Sequence, residues 1–263
     1  MRLSEINIYP IKSCGLISLN EAELEPRGLQ HDRRWLVVDD RGMFMTQRDF
    51  PRMTLISIQV KSDGLFVQAP EMEPLLVPFA TESREHIPVV IWNDSLKAMP
   101  VDGMSAEWFS KFLGVRCKLV AMTDRSVRPV DKSYAIGEDV VSFADGFPML
   151  LISEASLADL NSRLDVPIPM KRFRPNLVVE GCEPFAEDTW KEIAVGDVRM
   201  YVVKPCARCT ITTVDTATGE KDREPLRTLA TYRSVGNQVM FGQNVIHASR
   251  GRIRVGDEVR VIR

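Results

Sequence analysis

The chain has 263 residues, of which 44% are hydrophobic and 27% charged, with a net charge of -2. That is the composition of a soluble globular protein long enough for one large domain or two of ordinary size, and its charge balance disfavours a general polyanion-binding surface, so nucleic acid is not an expected partner. No apolar run is long enough to span a bilayer, Met1-Arg2-Leu3-Ser4-Glu5-Ile6 has no apolar signal core, and five cysteines, an odd number, fit reduced thiols better than disulfides, so a cytoplasmic protein without a membrane partner is expected.

Alternation of apolar and polar residues dominates the chain. It predicts strands at Leu3–Ile8, Trp35–Val38, Leu55–Val60, Val89–Trp92, Cys117–Met122, Asn176–Glu180, Val198–Val203 and Arg252–Ile262. Three short helices are predicted between them: one over about Ser105–Phe112 stopped at Gly114, one over Glu154–Leu164 capped by the Ser153 hydroxyl, and one starting at Pro225 with Leu226, Leu229 and Tyr232 on it. Hairpin signals stand at Thr218-Gly219 and Val255-Gly256-Asp257. Short, numerous strands broken by turn residues argue for barrels or sandwiches and against a nucleotide-binding βαβ unit. A boundary is suggested over residues 114–130, where a helix ends and a polar segment follows, with no low-complexity linker.

The most chemically specific segment is Lys204-Pro205-Cys206-Ala207-Arg208-Cys209, which runs into the β-branched Thr210-Ile211-Thr212-Thr213-Val214-Asp215. β-Branching predicts a strand here, so the thiols are expected at a strand mouth and not at the helix N-terminus a dithiol oxidoreductase uses. A structural zinc site wants a second cysteine pair or nearby histidines, whereas Cys14, Cys117, Cys182 and His247 stand singly and far apart. Free cysteines often pack as small hydrophobes. Two of them flanking an arginine on a Pro-led turn favour a thiolate that binds a soft metal inside an anionic cofactor.

Other polar clusters sit at turn edges: Tyr9-Pro10-Ile11-Lys12-Ser13, Gly28-Leu29-Gln30-His31-Asp32-Arg33-Arg34-Trp35, Ser142-Phe143-Ala144-Asp145-Gly146, Phe173-Arg174-Pro175-Asn176 and Phe241-Gly242-Gln243-Asn244. Singly, each reads as surface charge, a turn or a cap. Together with the Cys-Ala-Arg-Cys segment, and in this order over essentially the whole chain, they resemble the MOSC family of molybdenum-cofactor proteins, in the branch with an N-terminal β-barrel domain.

The resemblance implies a mainly β (α+β) fold: an N-terminal MOSC-associated β-barrel domain over 1–118 packed on a MOSC β-barrel domain over 119–263. It implies a molybdenum–molybdopterin cofactor (Moco) between them, with Cys209 as metal ligand and catalytic centre and Cys206 as a buried neighbour. Lys12, Ser13 and Arg33 are its implied cofactor anchors, Arg174 and Asn176 hold the pterin, Ala207 and Arg208 lie beside the metal, Asp145 and Gly146 offer turn backbone, and Asn244 faces the cofactor. The implied activity is reduction of N-hydroxylated compounds such as amidoximes, hydroxylamines and N-hydroxylated bases. Some relatives carry an iron–sulfur domain after the last strand. None is expected here, since the sequence ends at Val261-Ile262-Arg263, so electrons are expected from a separate ferredoxin- or flavoprotein-like donor. Asp32 and bulk water are the candidate proton sources. The alternative is a carrier that binds Moco or a sulfur species on Cys206 or Cys209 and hands it on without turnover.

Overall fold

The computed structural model describes residues 1–80 and 85–263. It is mainly β, with short helices at the edges. A nine-stranded sheet carries, in spatial order, Val259–Val261, Glu192–Val195, Val198–Ala207, Gln238–His247, Met149–Ser153, Leu177–Glu180, Arg2–Ile8 and Ile17–Leu19, with Ser234–Val235 paired off the path. Chain-distant segments thus lie side by side: Arg2 pairs with Glu180 and Ile6 with Leu177. A four-stranded sheet orders Trp35–Asp39, Cys117–Ala121, Asp94–Pro100 and Ile87–Ile91. Two three-stranded sheets complete the fold, one of Gly251–Arg254, Glu21–Glu25 and Gly28–Leu29, the other of Ser57–Val60, Gly64–Gln68 and Leu75–Pro78.

Two large cores result. One gathers Leu3, Ile6, Leu151, Leu177, Met200 and Val245 against the large sheet. The other gathers Ile11, Trp35, Val37, Met53, Leu65 and Phe109. The crossing segment between strands Arg2–Ile8 and Ile17–Leu19 is clamped by both sides: Lys12 N–H donates to Trp35 O at 2.9 Å and Gly15 N–H to Ile56 O at 2.8 Å. A Cβ on Gly15 would stand 2.7 Å from that same Ile56 oxygen, so only glycine permits the approach.

The helices follow their caps. Gly103–Leu113 starts at Asp102, whose carboxylate accepts from Ser105 N–H, and stops at Gly114 in the left-handed conformation. Glu154–Asn161 is capped by Ser153 as expected but ends before Leu164. The third helix, Leu226–Ala230, has Pro225 at its cap position. The predicted strand from Leu55 splits into a 3-10 turn, Pro51–Leu55, and the strand Ser57–Val60.

Three expectations are corrected. Thr210–Thr213 is a 3-10 turn and not a strand; the strand lies before the thiols, over Val198–Ala207. The reason is local: the Thr212 hydroxyl donates to Cys209 O and the Thr213 hydroxyl to Thr210 O, bonding the chain back on itself, while Arg172 donates to the Thr212 and Thr213 carbonyls. The turn at Val255-Gly256-Asp257 joins no hairpin, because Gly251–Arg254 pairs with Glu21–Glu25 and Val259–Val261 pairs with Glu192–Val195.

The third correction is that a βαβ unit exists. Met149–Ser153 and Leu177–Glu180 are parallel, with helix Glu154–Asn161 between them. It lacks a glycine-rich turn, and the buried Glu187 carboxylate fills the helix start, accepting from Ser153 N–H at 3.0 Å, the Ser153 hydroxyl at 2.9 Å and the Ser156 hydroxyl at 2.7 Å. An acidic side chain stands where a nucleotide phosphate would need to bind.

Candidate functional site

A cleft of about 100 Å³ opens where the crossing segment, the loop after Ser142 and the end of strand Val198–Ala207 meet. It brings together Lys12, Ser13, Arg33, Asp145, Gly146, Arg174, Asn176, Arg208, Cys209 and Asn244. Of the expected site residues only Ala207 is absent from its wall. Cys206, Phe173 and Ile211 line it too.

Three of these residues adopt positive φ without being glycine: Ser13 at 67°, Arg33 at 48° and Arg174 at 58°. Such conformations are disfavoured for residues with a Cβ and persist where the surrounding structure enforces them. Here they occur in three separate loops whose side chains line one cleft. Arg33 is held hardest. Its Nη1 donates to Asp32 Oδ2 at 2.7 Å and to Asn176 Oδ1 at 2.9 Å, and its Nη2 to Arg174 O at 3.2 Å. Burial opposes the Arg33 charge, but Asp32 outweighs it and raises the pKa. Asp32 is buried, with its other oxygen accepting from Tyr9 N–H at 2.8 Å. Both its oxygens are engaged and it lies outside the cleft wall, which removes it as the proton source.

Asn176 is a brace. Its Oδ1 also accepts from Leu150 N–H at 3.2 Å, and its Nδ2 donates to Asn7 O at 3.0 Å. The Tyr9 ring lies under two guanidiniums, Arg33 at 4.4 Å and Arg174 at 4.1 Å. Arg174 Nη1 donates to Cys14 O at 2.8 Å, while its Nη2 is buried without a partner among the described residues. Burial lowers its pKa to about 10, leaving it charged at neutral pH.

Lys12 is buried and donates to Phe143 O at 2.8 Å and Asp145 Oδ1 at 2.6 Å. An ammonium has three N–H donors, so one remains for a ligand. Burial lowers the Lys12 pKa to about 8, with Asp145 opposing the shift. Burial works against the Asp145 charge, but Lys12 prevails and holds that carboxyl well below the usual range. Asp145 is therefore an ionised acceptor and no acid at neutral pH.

Each thiol has its own guanidinium. Arg208 Nη1 donates to Cys206 Sγ at 3.0 Å and its Nη2 to Phe173 O at 2.6 Å, with Nε buried and unpartnered among the described residues. Burial raises the Cys206 pKa despite Arg208. Cys209, just past the strand, receives Arg48 Nη2 at 3.3 Å. Asn244 donates to Lys204 O at 3.2 Å, tying the cleft edge to the thiol strand.

Comparison with known proteins places the chain in a family. Residues 1–116 match the model of the MOSC N-terminal beta barrel domain and residues 138–260 that of the MOSC domain. The chain is 38% identical to mitochondrial amidoxime-reducing component 1 of Mus musculus, over 99% of its own length and 82% of that protein. It is 38% identical to mitochondrial amidoxime reducing component 2 of Rattus norvegicus, over 98% and 82%, and 35% identical to the Homo sapiens component 1, over 99% and 82%. The chain belongs to this MOSC family.

The cleft residues fit the cofactor the MOSC family implies. Its phosphate and pterin need donors and positive charge, and the cleft offers the third Lys12 N–H, the orphaned Arg174 Nη2 and the orphaned Arg208 Nε. No cluster of three or more His, Cys, Asp or Glu side chains that could hold a metal exists among the described residues. One thiolate is too few ligands for a bare ion, so a metal held at Cys209 has to arrive with ligands of its own. Sequence reasoning missed Arg48 and Trp92. Thr46-Gln47-Arg48-Asp49 carries no motif, and Trp92 falls at the end of a strand pattern that gives no hint of its Nε1–H reaching Asp145 at 3.3 Å.

Proposed function

We propose that this protein is a molybdenum-cofactor-dependent reductase of N-hydroxylated compounds, amidoximes, hydroxylamines and N-hydroxylated bases among them, taking electrons from a separate donor protein. The observation that carries the reading is the convergence of Lys12, Arg33, Arg174 and Arg208 on one cleft with the thiol of Cys209. The names of the relatives supply the substrate class.

The overall reaction is R–NH–OH + 2 e⁻ + 2 H⁺ → R–NH₂ + H₂O. The bound cofactor would supply the two-electron chemistry of N–O cleavage; the chain supplies grip and geometry. Lys12, Ser13, Arg33 and Arg174 would hold the anionic end and ring, with Asn176 and Asp32 fixing the Arg33 guanidinium in advance of binding. Arg208 would back the pterin beside the metal, Asp145 and Gly146 would offer backbone groups, and Asn244 would face it from the strand edge. Cys209 would be the metal ligand. With Asp145 ionised and Asp32 fully engaged, protons reach the open cleft from water.

The test is expression in a cofactor-competent host. Purified protein should contain molybdenum and pterin and should reduce an amidoxime with a reduced dye. NADH or NADPH alone should give no turnover, because the βαβ unit found among the described residues has its helix start filled by Glu187. Cofactor content without turnover under every reductant would leave a carrier, and absence of both would refute the assignment.

A further inference from the structure

Gln47 and Arg48 are neighbours in the loop before the 3-10 turn Pro51–Leu55 and reach two residues of the cleft wall, Ser13 and Cys209. Gln47 Nε2 donates to Ser13 O at 2.7 Å, and Arg48 Nη2 donates to Cys209 Sγ at 3.3 Å. Resting on the reading of Cys209 as metal ligand, we propose that Arg48 is a positioning residue that fixes the direction of the Cys209 sulfur and tempers its electron donation to the metal.

The Arg48 backbone is held on both sides. Arg48 N–H donates to the Thr46 hydroxyl at 3.1 Å, and Lys221 Nζ donates to the Arg48 carbonyl. Its planar head lies over the Trp92 ring at 4.5 Å. Trp92 in turn is fixed in a left-handed backbone conformation, φ 54°, by its Nε1–H to Asp145 and by Phe44, whose ring centroid is 5.0 Å away. A large aromatic residue in that conformation, half open to solvent, does little for a core. It does give a flat guanidinium a platform from which one N–H meets the sulfur.

The physical effect follows from the donor. A hydrogen bond from a cation withdraws density from a thiolate, weakens its donation to a metal and favours the more reduced state, as sulfur-directed hydrogen bonds do in other metal–thiolate centres. Arg208 cannot serve this role, since its contact is with Cys206.

Wild type, Arg48→Ala, Arg48→Lys, Trp92→Leu and Cys209→Ser are loaded in the same host and compared for metal and pterin content, sulfur-to-metal charge-transfer absorption and midpoint potential. Arg48→Ala should keep wild-type content, lower the potential and move the absorption to lower energy. Arg48→Lys should lie between, and Trp92→Leu should shift both readouts in the same direction by less than Arg48→Ala. Unchanged absorption and potential at full content overturn the proposal. Loss of cofactor from Arg48→Ala also overturns it, making Arg48 an anchor. If Cys209→Ser leaves the wild-type absorption intact, the ligand reading itself fails, a result separable from the other two.

Discussion

Lys12→Met should make the cofactor-free protein no less stable at pH 7 while abolishing cofactor retention. The ammonium is buried, and its folded pKa is about 8 against an ordinary 10.5, a gap worth ~3 kcal/mol of differential stability between its two protonation states. Because the fold lowers this pKa, the unfolded chain binds the proton more tightly between about pH 8 and 10.5, and wild-type stability rises with pH across that window. From pH 7 to pH 10 the gain from Lys12 alone should be ~2–3 kcal/mol. The variant leaves Phe143 O without this donor and Asp145 Oδ1 without its ion pair, a loss set against the relieved burial of the ammonium. Urea denaturation of both proteins at pH 7 and pH 10 isolates the Lys12 contribution, since other titrating groups cancel in the difference. A wild-type-minus-variant stability that stays constant between the two pH values would refute the burial argument, and a variant that retains normal pterin would refute the anchor.

Arg33→Ala and Arg174→Ala should each lower pterin and molybdenum content together, with Lys at either position rescuing only partly because it lacks the planar fork, as read by metal and pterin analysis. Cys209→Ser should abolish amidoxime reduction while leaving much of the pterin bound, and Cys206→Ser should be far milder; turnover and content measured side by side decide it. Gly242→Ala should cost ~1–3 kcal/mol in thermal or chemical unfolding, because φ is 79° and a Cβ would stand 2.6 Å from Ile152 Cγ1.

The turn-edge clusters were legible because each couples a charge with a residue of unusual backbone: Lys12-Ser13, Asp32-Arg33 and Phe173-Arg174-Pro175-Asn176 each bring a charged side chain to one cleft. A strand with one wet face was equally legible, as at Ser57–Val60, where Ile58 is buried between exposed Ser57 and Gln59. Met149–Ser153 was not, because all five residues are buried and a doubly covered strand shows no alternation. Thr210–Thr213 misled through its β-branched residues, whose hydroxyls bond back to carbonyls three residues earlier. Arg48 was invisible because its meaning lies in a contact with Cys209, far away in the chain.

The pairing of strand Arg2–Ile8 between Ile17–Leu19 and Leu177–Glu180 sets a timetable for biosynthesis. The segment carrying Lys12 and Ser13 is made early, yet the strand before it, Arg2–Ile8, has no second neighbour until Glu180 is made, on the order of ten seconds or more later at ordinary elongation rates. Cys209 follows later still. The early segment therefore waits for its partner, and the cleft wall is complete only once Asn244 has been added. Assembly of the cleft is a late event of folding, and any cofactor it takes enters after residues from Lys12 to Asn244 have come together.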